Sequence, residues 1–174
     1  MNSDISIESI AAKATRTLTG PPSARVVWRS WGSGPAVLLL HGNYGSWTHW
    51  IANIEALARR WRVLVPDLPG FGESDLPAGI TSVDALAGHL AQGLESLLAP
   101  GEATGIAGFS FGTVVASALA ARVARPVRQL ILVSAGRLGL QRADLPAFAA
   151  WRGQTGEARM AAHRRNLEII MFHD

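Results

Sequence analysis

The stretch TGIAGFSFGTVVASALAARV, residues 104–123, decides the fold. Thr104–Phe109 is of strand length, and Phe111–Val123 is a helical run of small residues. Between them stands Ser110, with Gly108 and Gly112 two positions to either side. A strand that passes into a helix across one residue must reverse sharply. Bulky side chains would clash where such a turn pinches, and that is where the glycines are. The turn lifts the serine hydroxyl above the strand ends and aims the following amides towards it. G-x-S-x-G is a weak signal alone, and the strand before it and helix after it give it weight. The plainer reading is a glycine-rich helix start with Ser110 as N-cap.

Working outward, Ala36–Leu40 (AVLLL) is a continuous apolar run, the pattern of a strand buried on both faces of a parallel sheet. His41-Gly42-Asn43 follows it. Loops at the C-terminal ends of parallel strands gather on one side, where open α/β sheets bind ligands. This loop is therefore expected to face Ser110. The backbone amides of Asn43 and Phe111 would then form an oxyanion hole for charge developing on a carbonyl oxygen. Gly42, Phe109 and His41 would line it, the His41 imidazole reading more simply as a structural group bonded to its own loop.

Arg62–Pro66 is the next strand, followed by the punctuated loop Asp67–Asp75 (DLPGFGESD). Gly70-Phe71-Gly72 is no dinucleotide fingerprint, because a third glycine at the required spacing is missing and no helix opens from it. It is expected to be a tight loop beside the site, with Asp67 holding loop amides.

The other elements follow from periodicity. The first twenty residues suggest a short amphipathic helix or frayed tail, with Ile5, Ile7 and Ile10 its large apolar groups, stopped by Gly20-Pro21-Pro22. Arg25–Ser30 is a strand, the residues after Asn43 are helical through Arg59, and Ser82–Leu98 is a helix capped by Ser82 or Thr81. Val127–Ser134 is another strand. Repeated strand–helix alternation predicts an α/β fold, a mostly parallel sheet with flanking helices and right-handed crossovers. Beyond Gly139 two helices are predicted, Ala143–Trp151 and Gly156–Phe172. The expected organisation is an N-terminal segment 1–24, a partial core 25–138 and a helical segment 139–174.

Composition narrows the chemistry. With 174 residues the chain suits one domain, and 48% hydrophobic against 17% charged residues gives it a core. The absence of cysteine excludes disulfides, thiolate metal sites and a cysteine nucleophile. Net charge is +3 and the arginines are scattered, Arg164-Arg165 being their densest run, so no nucleic-acid partner is expected. The N-terminus lacks a basic start followed by an apolar stretch, and no apolar run approaches bilayer length. A cytoplasmic protein without membrane contact is expected.

HGNYGSW after one strand, DLPGFGESD after the next and GFSFG at a strand-to-helix turn together resemble the α/β-hydrolase family. The resemblance covers residues 25–136 and, more loosely, the helices beyond. It implies a serine hydrolase with a Ser–acid–His triad, no cofactor or metal, and a small-molecule substrate. Ser110 would be the nucleophile, and Asn43 and Phe111 match the family's oxyanion donors. Relatives that open epoxides or remove halogens carry aspartate where Ser110 stands. The segment from Gly139 matches the family's helical cap, and HRRNL (His163–Leu167) is similar to cap helices of relatives that hydrolyse C–C bonds.

In family order the acid and the histidine follow the nucleophile after further strands, and the chain is read as ending before them. The expected function is serine-nucleophile hydrolysis of an ester or related carbonyl bond, C–C bonds included, in a small, largely apolar substrate. The alternative is a catalytically silent fragment or interaction module. Val127–Ser134 would then be an open apolar edge inviting self-association. His163 and His173, and His49 and His89, read as surface or packing groups rather than bases.

Overall fold

A computed structural model of the chain describes residues 6–135, 147–150 and 153–172. The strands are β1 (Thr15–Thr19), β2 (Val26–Trp31), β3 (Ala36–Leu40), β4 (Arg62–Pro66), β5 (Thr104–Phe109) and β6 (Val127–Val133). The helices are α1 (Ile7–Ala12), α2 (Ile51–Ala58), α3 (Val83–Leu97), α4 (Phe111–Ala120) and α5 (Gly156–Phe172), with a single 3₁₀ turn at Trp47–Trp50 leading into α2. All six strands join one sheet in the order β1-β2-β4-β3-β5-β6. The β4, β3, β5 and β6 strands run parallel, and β2 and β1 are added antiparallel at one side.

Alternation along the central strands builds two cores. Leu38 and Leu40 of β3, Leu64 of β4 and Ile106 of β5 face α3 and α4, where Leu86, Leu90, Leu94, Val115 and Leu119 meet them. Leu39, Val63, Val65 and Ala107 point the other way, against Trp31, Trp47, Ile54 and Ile10. Successive strand residues point to opposite faces, so burial on both faces requires an unbroken apolar run such as AVLLL.

Ser82 caps α3, its hydroxyl accepting from Ala85 N at 3.1 Å. Arg125, with its side chain 1% exposed, ties the far end of this layer by bonding the carbonyls of Ala99 and Glu102 and both carboxylate oxygens of Glu95. The guanidinium holds the Glu95 carboxyl below its usual range.

The N-terminus corrects one expectation. It is neither a helix alone nor a tail, because after the six residues of α1 the chain forms β1, paired antiparallel with β2. The apolar residue of β1, Leu18, is exposed, while Thr19 is buried and accepts from Trp28 Nε1 at 2.8 Å. The strand is held by its ladder and this hydrogen bond, which leave no apolar stripe to read. Ile5 lies outside the described residues.

The chain divides into two units, Met1–Leu138 and Gly139–Asp174. In the second, Gly156–Phe172 is helical as expected. Residues 147–150 are irregular rather than helical, and the rest of the predicted helix Ala143–Trp151 lies outside the described residues. The Asn166 carboxamide explains the irregular backbone. It accepts from Ala149 N at 2.7 Å and donates to Ala149 O at 3.0 Å, the two bonds a neighbouring strand would otherwise make.

Candidate active site

Parallel neighbours β3 and β5 are in register with Leu40 beside Gly108. Both strands therefore release their chains at the same edge, one into His41-Gly42-Asn43 and the other into Ser110. The two segments touch. A Cβ placed on Gly42 would stand 3.2 Å from Ser110 Cβ and 3.1 Å from Phe109 Cδ1.

Ser110 adopts φ 52° and ψ −117°, a conformation that L residues rarely hold. Its backbone is fixed on both sides. Ser110 N donates to Val133 O of β6 at 2.9 Å, and Ser110 O accepts from Thr113 N at 2.9 Å and Thr113 Oγ1 at 2.6 Å. Ser110 occupies the N-cap position of α4, but its half-buried side chain makes no capping hydrogen bond there. Close approach explains both glycines. A Cβ on Gly108 would meet Gly112 O at 2.3 Å, and one on Gly112 would meet Leu40 O at 2.3 Å. Phe111 opens α4, so its N–H has no carbonyl to bond within its own helix.

His41 is fully buried and structural. Its Nε2 accepts from Leu68 N at 2.9 Å, so Nδ1 carries the proton and donates to Gly42 O at 2.8 Å. Burial pushes its pKa below the ordinary imidazole value, against the opposing pull of the Gly42 carbonyl and of Asp67. A neutral ring is what both hydrogen bonds require.

Asp67 holds loop amides, as its position suggested. It is 1% exposed, and its carboxylate accepts from Trp47 N at 2.8 Å and Glu73 N at 3.1 Å. Sequence reasoning missed its charged partner. Arg29 Nη1 on β2 donates to Asp67 at 3.0 Å and also pairs with Glu73, and its guanidinium lies 5.2 Å from the Trp47 ring centroid. Phe71 sits on the loop expected beside the site. Its ring centroid lies 5.6 Å from that of His41 and 6.4 Å from that of Phe111. His49, read as a packing or surface group, lies against Phe109 with ring centroids 5.7 Å apart.

Among the described residues no group of three or more His, Cys, Asp or Glu side chains could hold a metal ion, and no helix is long and apolar enough to cross a membrane.

The chain belongs to the alpha/beta hydrolase fold family, whose model matches residues 35–168. It is 33% identical over 117 residues to the 2-hydroxy-6-oxo-2,4-heptadienoate hydrolase of Pseudomonas putida, covering 65% of this chain and 42% of that protein. It is 35% identical over 136 residues to the pimeloyl-[acyl-carrier protein] methyl ester esterase of Vibrio campbellii, covering 75% and 46%. Among solved structures, Cfl2 from Burkholderia cenocepacia superposes with a TM-score of 0.68 at 28% identity, over 84% of this chain and 48% of that one. The chain thus spans less than half the length of each of these proteins.

Proposed function

We propose that the site performs serine-nucleophile hydrolysis of an ester or related carbonyl bond, C–C bonds included, in a small, largely apolar substrate. The observation that carries this reading is Ser110 held at φ 52° on a strand-to-helix turn, with Gly42 packed against it. In this reading Ser110 Oγ attacks the carbonyl carbon and gives up its proton, and the amides of Asn43 and Phe111 donate to the oxyanion; the scissile C–O or C–C bond then breaks, its departing group takes up a proton, and water hydrolyses the acyl-serine to the acid and free Ser110. Phe71, Phe109 and Phe111 give the surroundings their apolar character. A C–C hydrolase and an ester hydrolase among the relatives support carbonyl chemistry without choosing between the two.

No described residue accepts a hydrogen bond from the Ser110 hydroxyl. A fluorophosphonate probe is expected to label the chain at Ser110, and Ser110→Ala to remove the label. Equal labelling of the variant, or an unlabelled wild type, overturns the assignment.

A second reading rests on β6. Among the described residues this strand edges the sheet, and Leu130, Ile131 and Val133 are all exposed at 41–50%. Apolar groups beside unpaired backbone invite strand pairing. Antiparallel self-pairing centred on Leu130 would set Arg128 opposite Leu132 rather than another arginine, so a second copy of the chain is the partner proposed. Sedimentation is expected to show association rising with concentration, and Ile131→Lys to abolish it. A wild type that is monomeric throughout refutes this reading.

A further inference from the structure

We infer that His49 is a positioning residue for the oxyanion-binding amide of Asn43, an assignment that rests on the proposed reading of Ser110. Gly42–Gly45 forms a turn closed by Gly45 N donating to Gly42 O at 3.3 Å. Tyr44, third in the turn, takes φ 55°, a value that favours glycine, and the residue is 82% exposed. Packing of the tyrosine therefore does not hold this strained turn, and something else must.

His49 grips both ends of it. Its Nδ1 accepts from Gly42 N at 3.2 Å, the residue immediately before Asn43. Its ring lies flat against Gly45, where a Cβ would fall 2.2 Å from Cε1 and 2.6 Å from Nδ1 and Nε2. The ring is itself wedged edge-on against Phe109, 5.7 Å between centroids, and against His41 at 6.0 Å. Phe109 precedes Ser110, so one imidazole sets the distance between the turn that carries the Asn43 amide and the turn that carries Ser110. Gly45 has no side chain because the ring occupies that space. His49 begins neither a strand nor a charge cluster, and it performs this role through one acceptor nitrogen and one flat face.

The test separates acceptor from bulk. His49→Leu fills much of the space without an acceptor, and His49→Asn places a carboxamide oxygen where Nδ1 stood. In His49→Leu the Gly42 amide resonance is expected to move upfield as its hydrogen bond is lost. Fluorophosphonate labelling of Ser110 is expected to slow by about tenfold to a hundredfold, the scale of a misplaced oxyanion donor. His49→Asn is expected to recover most of both effects, which a general loss of stability would not do. An unmoved Gly42 amide, or His49→Leu labelling at the wild-type rate, overturns the inference. A wild type that takes no label removes the Ser110 reading and the oxyanion role with it, and the amide shift then still reports whether the histidine holds the turn.

Discussion

Gly112→Ala is expected to cost this protein more stability than most single methyl groups can, and to silence Ser110. The added Cβ would stand 2.3 Å from Leu40 O and 2.7 Å from His41 O. Both are backbone atoms at the end of a central strand, so no rotamer change relieves the contact. The start of α4 would have to move away from β3 by something near 1 Å. Overpacking of a tight interior costs about 1–3 kcal/mol, and more where the backbone must yield. The functional effect is larger, since about 1 Å of misplacement can cost a hundredfold in a positioned reaction. Phe111 N–H and Ser110 ride on the displaced turn, and the Asn43 amide stays with β3.

Gly105→Ala on β5 is the control. Its Cβ would meet Val37 Cγ2 at 3.6 Å, an ordinary contact, and its stability is expected to stay within about 1 kcal/mol of wild type. Urea unfolding together with labelling of both variants checks the pair. Gly112→Ala with wild-type stability and labelling would show that the turn is not pinched as described.

The contrast between these two glycines explains how much of the fold was legible. Gly112 could be read because the turn needs it and the motif repeats that need in sequence. The strands Ala36–Leu40, Arg62–Pro66 and Thr104–Phe109 were legible because burial on both faces leaves an apolar run that no surface element carries. β1 was not, because its buried residue is a threonine satisfied by Trp28 Nε1 and its leucine faces out. The hydrophobic pattern there carries the opposite of the true burial. Residues 147–150 failed for a related reason, since a carboxamide seventeen residues on supplies their backbone partners. Local spacing and parallel topology also brought Gly42 beside Ser110 and Phe109, as the structure has them. The bond from Gly42 N to His49 and the contact of its ring with Gly45 were not legible, because neither leaves a mark on the residue type.

The ion pair under the loops makes the second large prediction. Asp67 is 1% exposed, and the Arg29 side chain that faces it is 8% exposed. Exposed pairs of this kind contribute about 0–1 kcal/mol, whereas breaking a buried one leaves an uncompensated charge at a cost of about 3–5 kcal/mol. Asp67→Ala is expected to fall near the lower end of the second range. Arg29 keeps Glu73, whose own side chain is 52% exposed and can follow it. The amides of Trp47 and Glu73 keep nothing, and both lose their acceptor.

Asp67→Asn sharpens the argument. Its oxygen can still accept from Trp47 N, but its amide group then points donors at Arg29 and at Glu73 N. A loss close to that of alanine is therefore expected, although the volume is unchanged. Because one carboxylate joins β2, the start of the Trp47–Trp50 turn and the loop after β4, its removal loosens all three together. Leu68, the next residue, donates to His41 Nε2, and His41 in turn holds Gly42 O. Stability lost at Asp67 is thus expected to reach Ser110 as slower labelling, through the His41 imidazole and the two backbone groups it bonds. Urea unfolding of the two variants measures the first effect and probe labelling the second. A loss below about 1 kcal/mol in both variants would show that the Arg29 pair behaves as a solvated surface contact.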